Sequence, residues 1–407
     1  MEFRNLTPFS ALNYFMLDKE QREYHVVAMK VGYQLQQCSG SEYRMSVIDK
    51  DVIPLCLEDK YRGAVNASQV LRESDLAPLK PRCDVIINGI ACAPGGIACE
   101  QFPVSVRLVT PNGNLLLDKT LLIRGESEFE RVNPYTPFMH WRQTPLRPFT
   151  ELELDYCHAF GGECRIDEGD ESIDRIIREK RLTEEQRREH PDHITPPVAH
   201  TVHMGNPLGC GYTEHWYQNA TDRKSYAAPR IVDAHHPFTD DHFTQLVNGS
   251  ADLSQLPFQP AGLGIIGRAW KPRLSLAGTY DQQWLEERHP YLPDDFDFGY
   301  WNAAPIDQQI AFPAPESRFE LMNLTHDGLV TFSLPNHFSF ILLRMSDGEL
   351  LPQPMQADTL VIDTQLMQMW MTYRYVLPVE SSVRVMELRY ETQPGLLQKK
   401  LYPQWEV

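Results

Sequence analysis

The sequence predicts a mainly β protein, in which β-sandwich-like units flank an irregular Gly/Pro/aromatic-rich centre with a few short helices. Three observations lead there. Short runs rich in β-branched and aromatic residues recur in the first and last thirds, separated by turn residues. Asn-Gly and Asp-Gly pairs fall where those runs would reverse direction. Between them, residues 136–310 carry Pro, Gly, His and aromatics without sustained periodicity.

The chain therefore divides into a β-rich segment 1–135, a centre 136–310 and a β-rich segment 311–407. In the first, Tyr24–Val31 is a half-alternating β run, and Asp84–Ile90 is an apolar run broken at Asn88-Gly89. Val104–Val109 and Leu115–Ile123 flank Pro111-Asn112-Gly113-Asn114, a strong hairpin signal. A helix is expected only around Asn66–Leu76. In the last segment, Phe319–Leu324 alternates, and Gly328–Leu334 and Ser339–Arg344 follow. A turn at Ser346–Glu349 leads to Thr359–Thr364, Trp370–Leu377 and Val383–Tyr390.

Within the centre, residues 163–193 stand apart, with 18 of 31 residues charged. Ile173, Ile176, Ile177 and Leu182 offer one thin apolar stripe, which predicts a solvated helix or mobile insertion ended by Pro191, Pro196 and Pro197.

Composition sets the function classes. An apolar content of 42% with 23% charged residues suits a globular core. Apolar runs such as Phe340–Leu343 fall far short of the ~20 residues of a membrane span. Met1–Leu6 has no basic-then-apolar leader pattern, so the expected location is the cytoplasm. The net charge is −17. The first 135 residues hold 15 basic and 17 acidic side chains, leaving 23 and 38 for the rest. Such a chain is repelled by phosphate, which argues against nucleic acid and anionic membranes as partners. The eight cysteines include no CxxC pair and fit a reducing compartment.

Two constellations bear on catalysis. Nine of the fourteen histidines fall between His158 and His242, including His200, His203, His235, His236 and His242 near Asp233 and Asp241. Imidazole with carboxylate suits zinc or non-heme iron, and so a metal-dependent hydrolase or oxygenase. No HExxH or comparable spacing is present, and no metal or other cofactor is expected. In Asp294–Tyr300, alternation in a strand would put Phe296, Phe298 and Tyr300 on one face. Asp295 and Asp297 would then lie ~7 Å apart on the other, near the carboxylate spacing of an inverting glycosidase. Nucleophile-elbow, P-loop and dinucleotide motifs are absent, and Gly262–Gly267 has the wrong spacing for the last. One helix is well signalled: Thr279 with Gln282 as a capping box, Tyr280 and Trp284 at i, i+4, and Pro290 as the stop. From Thr279 to Asp297 there are six acidic residues and one basic residue, Arg288.

These pieces form an ordered signature: Pro260–Gly264, Trp270–Arg273, Gly278–Asp281, Leu292–Asp297 and Trp301–Gln308. With Ala159-Phe160-Gly161-Gly162 and Asn206-Pro207-Leu208-Gly209, it resembles the domain-of-unknown-function family encoded in bacterial type VI secretion clusters. The resemblance spans roughly residues 5–310 and treats the charged stretch as a variable insertion. It implies a cytoplasmic adaptor or chaperone that helps load a PAAR- or Rhs-type effector onto the VgrG spike, without catalysis. It brings no catalytic residues. It makes Trp270, Arg273, Thr279, Tyr280, Asp281, Asp295, Asp297, Trp301, Asn302, Asp307 and Gln308 partner-contact or scaffold candidates. Proteins of this kind need exposed aromatic and Arg side chains in a patch.

Overall fold

Alternation in the strongest predicted hairpin sends Phe102, Val104, Val106 and Leu108, with Leu117, Leu121 and Ile123, into one shared core. The two strands pair antiparallel around the Asn112-Gly113 turn, as their pattern predicts. The computed structural model describes residues 1–133, 140–167, 170–175, 188, 199–251, 260–379, 381–393 and 395–403.

The fold is mainly β, built on one large curled sheet of twelve strands. In chain order these are β1 (Ser10–Leu17), β2 (Glu23–Ser39), β3 (Glu42–Val47), β4 (Cys83–Asn88), β5 (Gln101–Val109) and β6 (Leu115–Arg124). Then come β7 (Ile231–Asp233), β8 (Gln309–Ile310), β9 (Arg318–Met322), β10 (Leu329–Ser333), β11 (Gln356–Asp363) and β12 (Gln368–Pro378). The order across the sheet is β7-β6-β5-β9-β10-β3-β2-β12-β11-β4-β8, with β1 also pairing β2. The seventeen-residue β2 is long enough to bond β1 along its first half and β3 along its second. A second sheet of four strands joins Glu2–Asn5 to Val383–Glu391, and the hairpin Phe338–Met345/Leu350–Pro354 completes it.

Segments 1–135 and 311–407 do not form separate sheets. The hairpin β9–β10 lies between β5 and β3, and β11–β12 lies between β4 and β2. Each terminal segment would leave apolar strand edges and faces bare, and interleaving closes them in one core.

The helix expected over Asn66–Leu76 is replaced by a short ladder of Lys60–Tyr61 with Val70–Arg72. Asn66 takes a left-handed φ of 59°, and the Ser68 hydroxyl binds Gly63 N–H and Ala64 C=O. Local side-chain bonds of this kind compete with a helix.

The irregular centre builds its own aromatic core around Phe243. Phe129 stacks on it with ring centroids 4.4 Å apart, and Trp141 meets it edge-on at 5.3 Å. The α-helices described are short: α1 (His215–Thr221), α2 (Asp240–Val247), α3 (Lys271–Leu274), α4 (Gln282–Glu287) and α5 (Leu396–Leu401). The charged insertion leaves and returns through paired antiparallel strands, Glu163–Ile166 with Ala199–Val202. Ile173 packs against the aromatic core. Ile176, Ile177, Leu182 and the expected proline stop lie outside the described residues.

Two signature fragments dock on each other. Phe160-Gly161 pairs with Cys210-Gly211, and the buried Asn206 donates its side-chain amide to the C=O of Tyr156 at 2.8 Å and of Phe160 at 3.1 Å. Gly161 sits at φ +148°, and a Cβ there would stand 2.1 Å from the Asn206 carbonyl oxygen, so only glycine fits.

Candidate partner-binding surface

The signature separates into a buried half and an exposed half. Arg273 is almost fully buried in α3. Its guanidinium donates to the carbonyls of Tyr300 and Ile266 and to Glu73 Oε1 at 2.8 Å. Burial would raise the Glu73 pKa, but the guanidiniums of Arg273 and Arg268 outweigh it and hold the carboxyl below its ordinary range.

Asn302 donates to Asp84 Oδ1 at 3.0 Å and to the Arg82 carbonyl at 2.8 Å. The backbone N–H groups of Ala303 and Ala304 bind the same carboxylate at 2.9 and 3.2 Å, and Lys80 Nζ binds it at 2.8 Å. Asp84 belongs to a polar row across the sheet: Lys30 opposes Thr372, Thr372 opposes Thr359, Thr359 opposes Asp84, and Asp84 opposes Gln309. Asp75 and Lys80 close this row as ion-pair partners of Lys30 and Asp84. Burial lowers the pKa of Lys80, and the carboxylates of Asp84, Asp358 and Glu73 together more than offset it, so the ammonium is held charged.

Gln308 donates to the carbonyls of Val85 and Leu263 at 2.7 and 3.0 Å. It accepts from Lys119 Nζ at 2.8 Å, which also binds Asp307 at 2.8 Å. Trp270 is buried edge-on to Tyr156, with centroids 5.1 Å apart. Arg273, Asn302, Gln308 and Trp270 are thus internal cross-links, and Asp307 is the outer partner of Lys119.

The other half is a surface arm, Thr279–Asp297. The capping residue of α4 is Asp281, whose carboxylate accepts from Trp284 N–H at 2.9 Å, and not Thr279 as the sequence led one to expect. Thr279 instead donates from its N–H and its hydroxyl to Asp295, at 2.9 and 2.7 Å. An ionised Asp at the cap position accepts more strongly than a hydroxyl. Those Thr279 hydrogen bonds hold the Asp295 carboxyl below its ordinary pKa. Tyr280 and Trp284 do meet, edge-on at 4.8 Å. Tyr280 and Leu285 nevertheless stay 54% and 52% exposed.

Asp295–Tyr300 is not a strand. Phe298–Trp301 is a 3-10 turn capped by Asp297, which accepts from Gly299 N–H at 2.7 Å. Phe296 is buried, Phe298 and Tyr300 are half-buried, and both carboxylates are exposed. The extended geometry expected of an inverting-glycosidase pair is therefore absent.

A cleft of about 530 Å³ opens beside Trp270, lined by Asp59, Tyr61, Glu73, Leu208 and Arg268 among others. Arg268 spans it, bonding Glu73 at 2.6 Å and Asp59 at 3.3 Å, with its guanidinium 5.8 Å from the Trp301 ring centre.

The described histidines of the centre disperse. His200 pairs with Glu163 at 2.7 Å, and His215 Nδ1 bonds the Val247 carbonyl at 2.9 Å. His203 packs against Phe160 and Tyr212, and burial pushes its pKa down to about 4. The backbone N–H groups of His235 and His236 bind Asp233, while His242 completes a capping box with Thr239. Among the described residues, no three His, Cys, Asp or Glu side chains converge as metal ligands.

Sequence reasoning missed the anchors Glu73, Asp84 and Lys119. A signal for one exists: Asp84 is a lone carboxylate in the run Cys83-Asp84-Val85-Ile86-Ile87, and a buried charge requires donors from elsewhere.

No curated protein and no solved structure matches the chain. A family model described as an uncharacterized protein conserved in bacteria, DUF2169, matches residues 20–374, which include most of the large sheet, the cleft and the whole signature. The chain belongs to this bacterial family.

Proposed function

We propose that this protein is a cytoplasmic accessory adaptor of a type VI secretion system. It binds a PAAR- or Rhs-type effector and assists its loading onto the VgrG spike, and it catalyses no reaction. The observation that carries this reading is the arm Thr279–Asp297. It leaves Tyr280 and Leu285 exposed on an acidic segment, braced at both ends by Asp281 and Asp295. A folded aromatic and aliphatic patch with fixed side chains loses little entropy on binding, which suits recognition of another protein.

The test is co-purification of the tagged chain from its native cytoplasm, followed by mass spectrometry. Effector or spike components should accompany the parent protein. Tyr280→Ala with Leu285→Ala should lose them while melting stays unchanged. Recovery of no secretion component with the parent sinks the reading.

A further inference from the structure

The strand β1 pairs with β2 through all its eight residues, from Ser10 opposite Lys30 to Leu17 opposite Glu23. In an antiparallel pair every second residue turns its N–H and C=O away from its partner. Among the described residues β1 has a strand neighbour on one side alone, and no backbone bond reaches its outer edge. Proteins blunt such edges with lysine, proline or a bulge. The sequence Ser-Ala-Leu-Asn-Tyr-Phe-Met-Leu has no charge and no proline, and its register with β2 is unbroken.

A further observation points outward. Phe15 and Leu17, on one face, are 66% and 40% exposed. The Leu17 end also runs into the acidic arm. Arg288 donates to the Lys19 carbonyl at 2.5 Å, Lys19 Nζ donates to the Asp294 carbonyl at 3.3 Å, and the Asp294 side chain is 82% exposed.

Charge decides the occupant. Pairing β1 with β1 of a second copy would bring together two chains of −17 each. A strand flanked by Lys or Arg would be drawn to the same place. We propose that β1 is a docking edge that takes an extended segment of a partner protein as an added strand, apolar at alternate positions and flanked by basic residues. This specifies the partner chemistry of the adaptor reading and rests on it for the partner's role.

The probe is a fluorescent peptide of alternating Val and Thr, as long as β1, with two Lys at each end. Its control carries a central proline, which removes a ladder donor. Anisotropy should show saturable binding of the first peptide and not the second. Phe15→Lys and Leu17→Lys, both at exposed positions, should each weaken it about tenfold. Absence of binding to the parent protein, or equal binding of the proline peptide or by the lysine variants, overturns the proposal. A parent dimer by sedimentation that Phe15→Lys makes monomeric overturns it too, because the occupant is then a second copy. If Phe15→Lys loses the peptide but still co-purifies with the effector, the docking edge falls and the adaptor reading stands. If the parent binds the peptide yet recovers no secretion component, the edge stands and that reading falls.

Discussion

Asn302 gives its side-chain amide to Asp84 at 3.0 Å, joining the end of the signature to an inner strand 218 residues away in sequence. The same carboxylate receives Lys80 and two backbone N–H groups, and it is fully buried. One side chain thus fixes a strand, a loop lysine and the Asn302–Ala304 segment together.

Asp84→Asn should therefore be severe. It leaves the Lys80 ammonium buried without its carboxylate and puts an amide donor against one backbone N–H and either Lys80 or the Asn302 amide. Breaking a buried pair by removing one member costs about 3–5 kcal/mol. The midpoint of urea unfolding reads this directly. A loss under about 1 kcal/mol would show that the carboxylate does not anchor the signature.

Gly161→Ala should destabilise by more than about 2 kcal/mol, because the new Cβ meets the Asn206 carbonyl at 2.1 Å in a backbone conformation that L residues avoid. Gly348→Ala is the matched control. Its φ is also positive, at +94°, but nothing lies within 4 Å, so the cost should stay near 1 kcal/mol. Equal thermal shifts for the two would show that the Phe160/Cys210 docking tolerates displacement.

His203 predicts an acid limb in the stability curve. Its pKa is pushed down from 6.5 to about 4 in the fold, so below pH 6.5 the unfolded chain takes up a proton that the folded chain refuses. Stability should be full above pH 6.5 and fall as pH drops towards 4, by roughly 3 kcal/mol in all. His203→Phe should keep the ring packing and flatten that part of the curve. An unchanged slope between pH 6.5 and 4 in the variant would reject this assignment.

On the arm, stability and binding should separate. Phe296→Ala removes a buried ring and should cost about 3–5 kcal/mol. Asp297→Asn keeps a good cap acceptor and should change stability by about 0.5 kcal/mol or less. Asp295→Asn can still accept from Thr279 and should likewise be mild, within about 1 kcal/mol. If both Asp variants melt normally and effector capture weakens with strong salt dependence, these carboxylates face the partner. Normal melting with intact capture would leave Tyr280 and Leu285 as the contact.

Much of the strand inventory is legible in the sequence, because a strand's signal is local. Residues 101–124 carry alternation and an Asn-Gly turn, and both act within a few residues. The Tyr280–Trp284 contact is equally local, but Tyr280 lies just before the Asp281 cap, so the turn into the helix and not its pitch brings the two rings together. The cap of α4 falls two residues beyond Thr279, because Thr279 and Asp281 are both competent acceptors. The distant Asp295 decides between them by engaging Thr279.

What the sequence by itself determined is the β class, the turns, the acidic character and the ordered signature. Tertiary structure alone decided which strands are neighbours, so that β9–β10 enters between β5 and β3. It also decided that Arg273, Asn302 and Gln308 face inward to Glu73, Asp84 and Lys119, while Tyr280 and Leu285 face outward. The physical reason is that a polar side chain's role depends on whether a partner waits for it in the interior. Pairings such as Asn302 with Asp84 span 218 residues and leave no periodic trace along the chain.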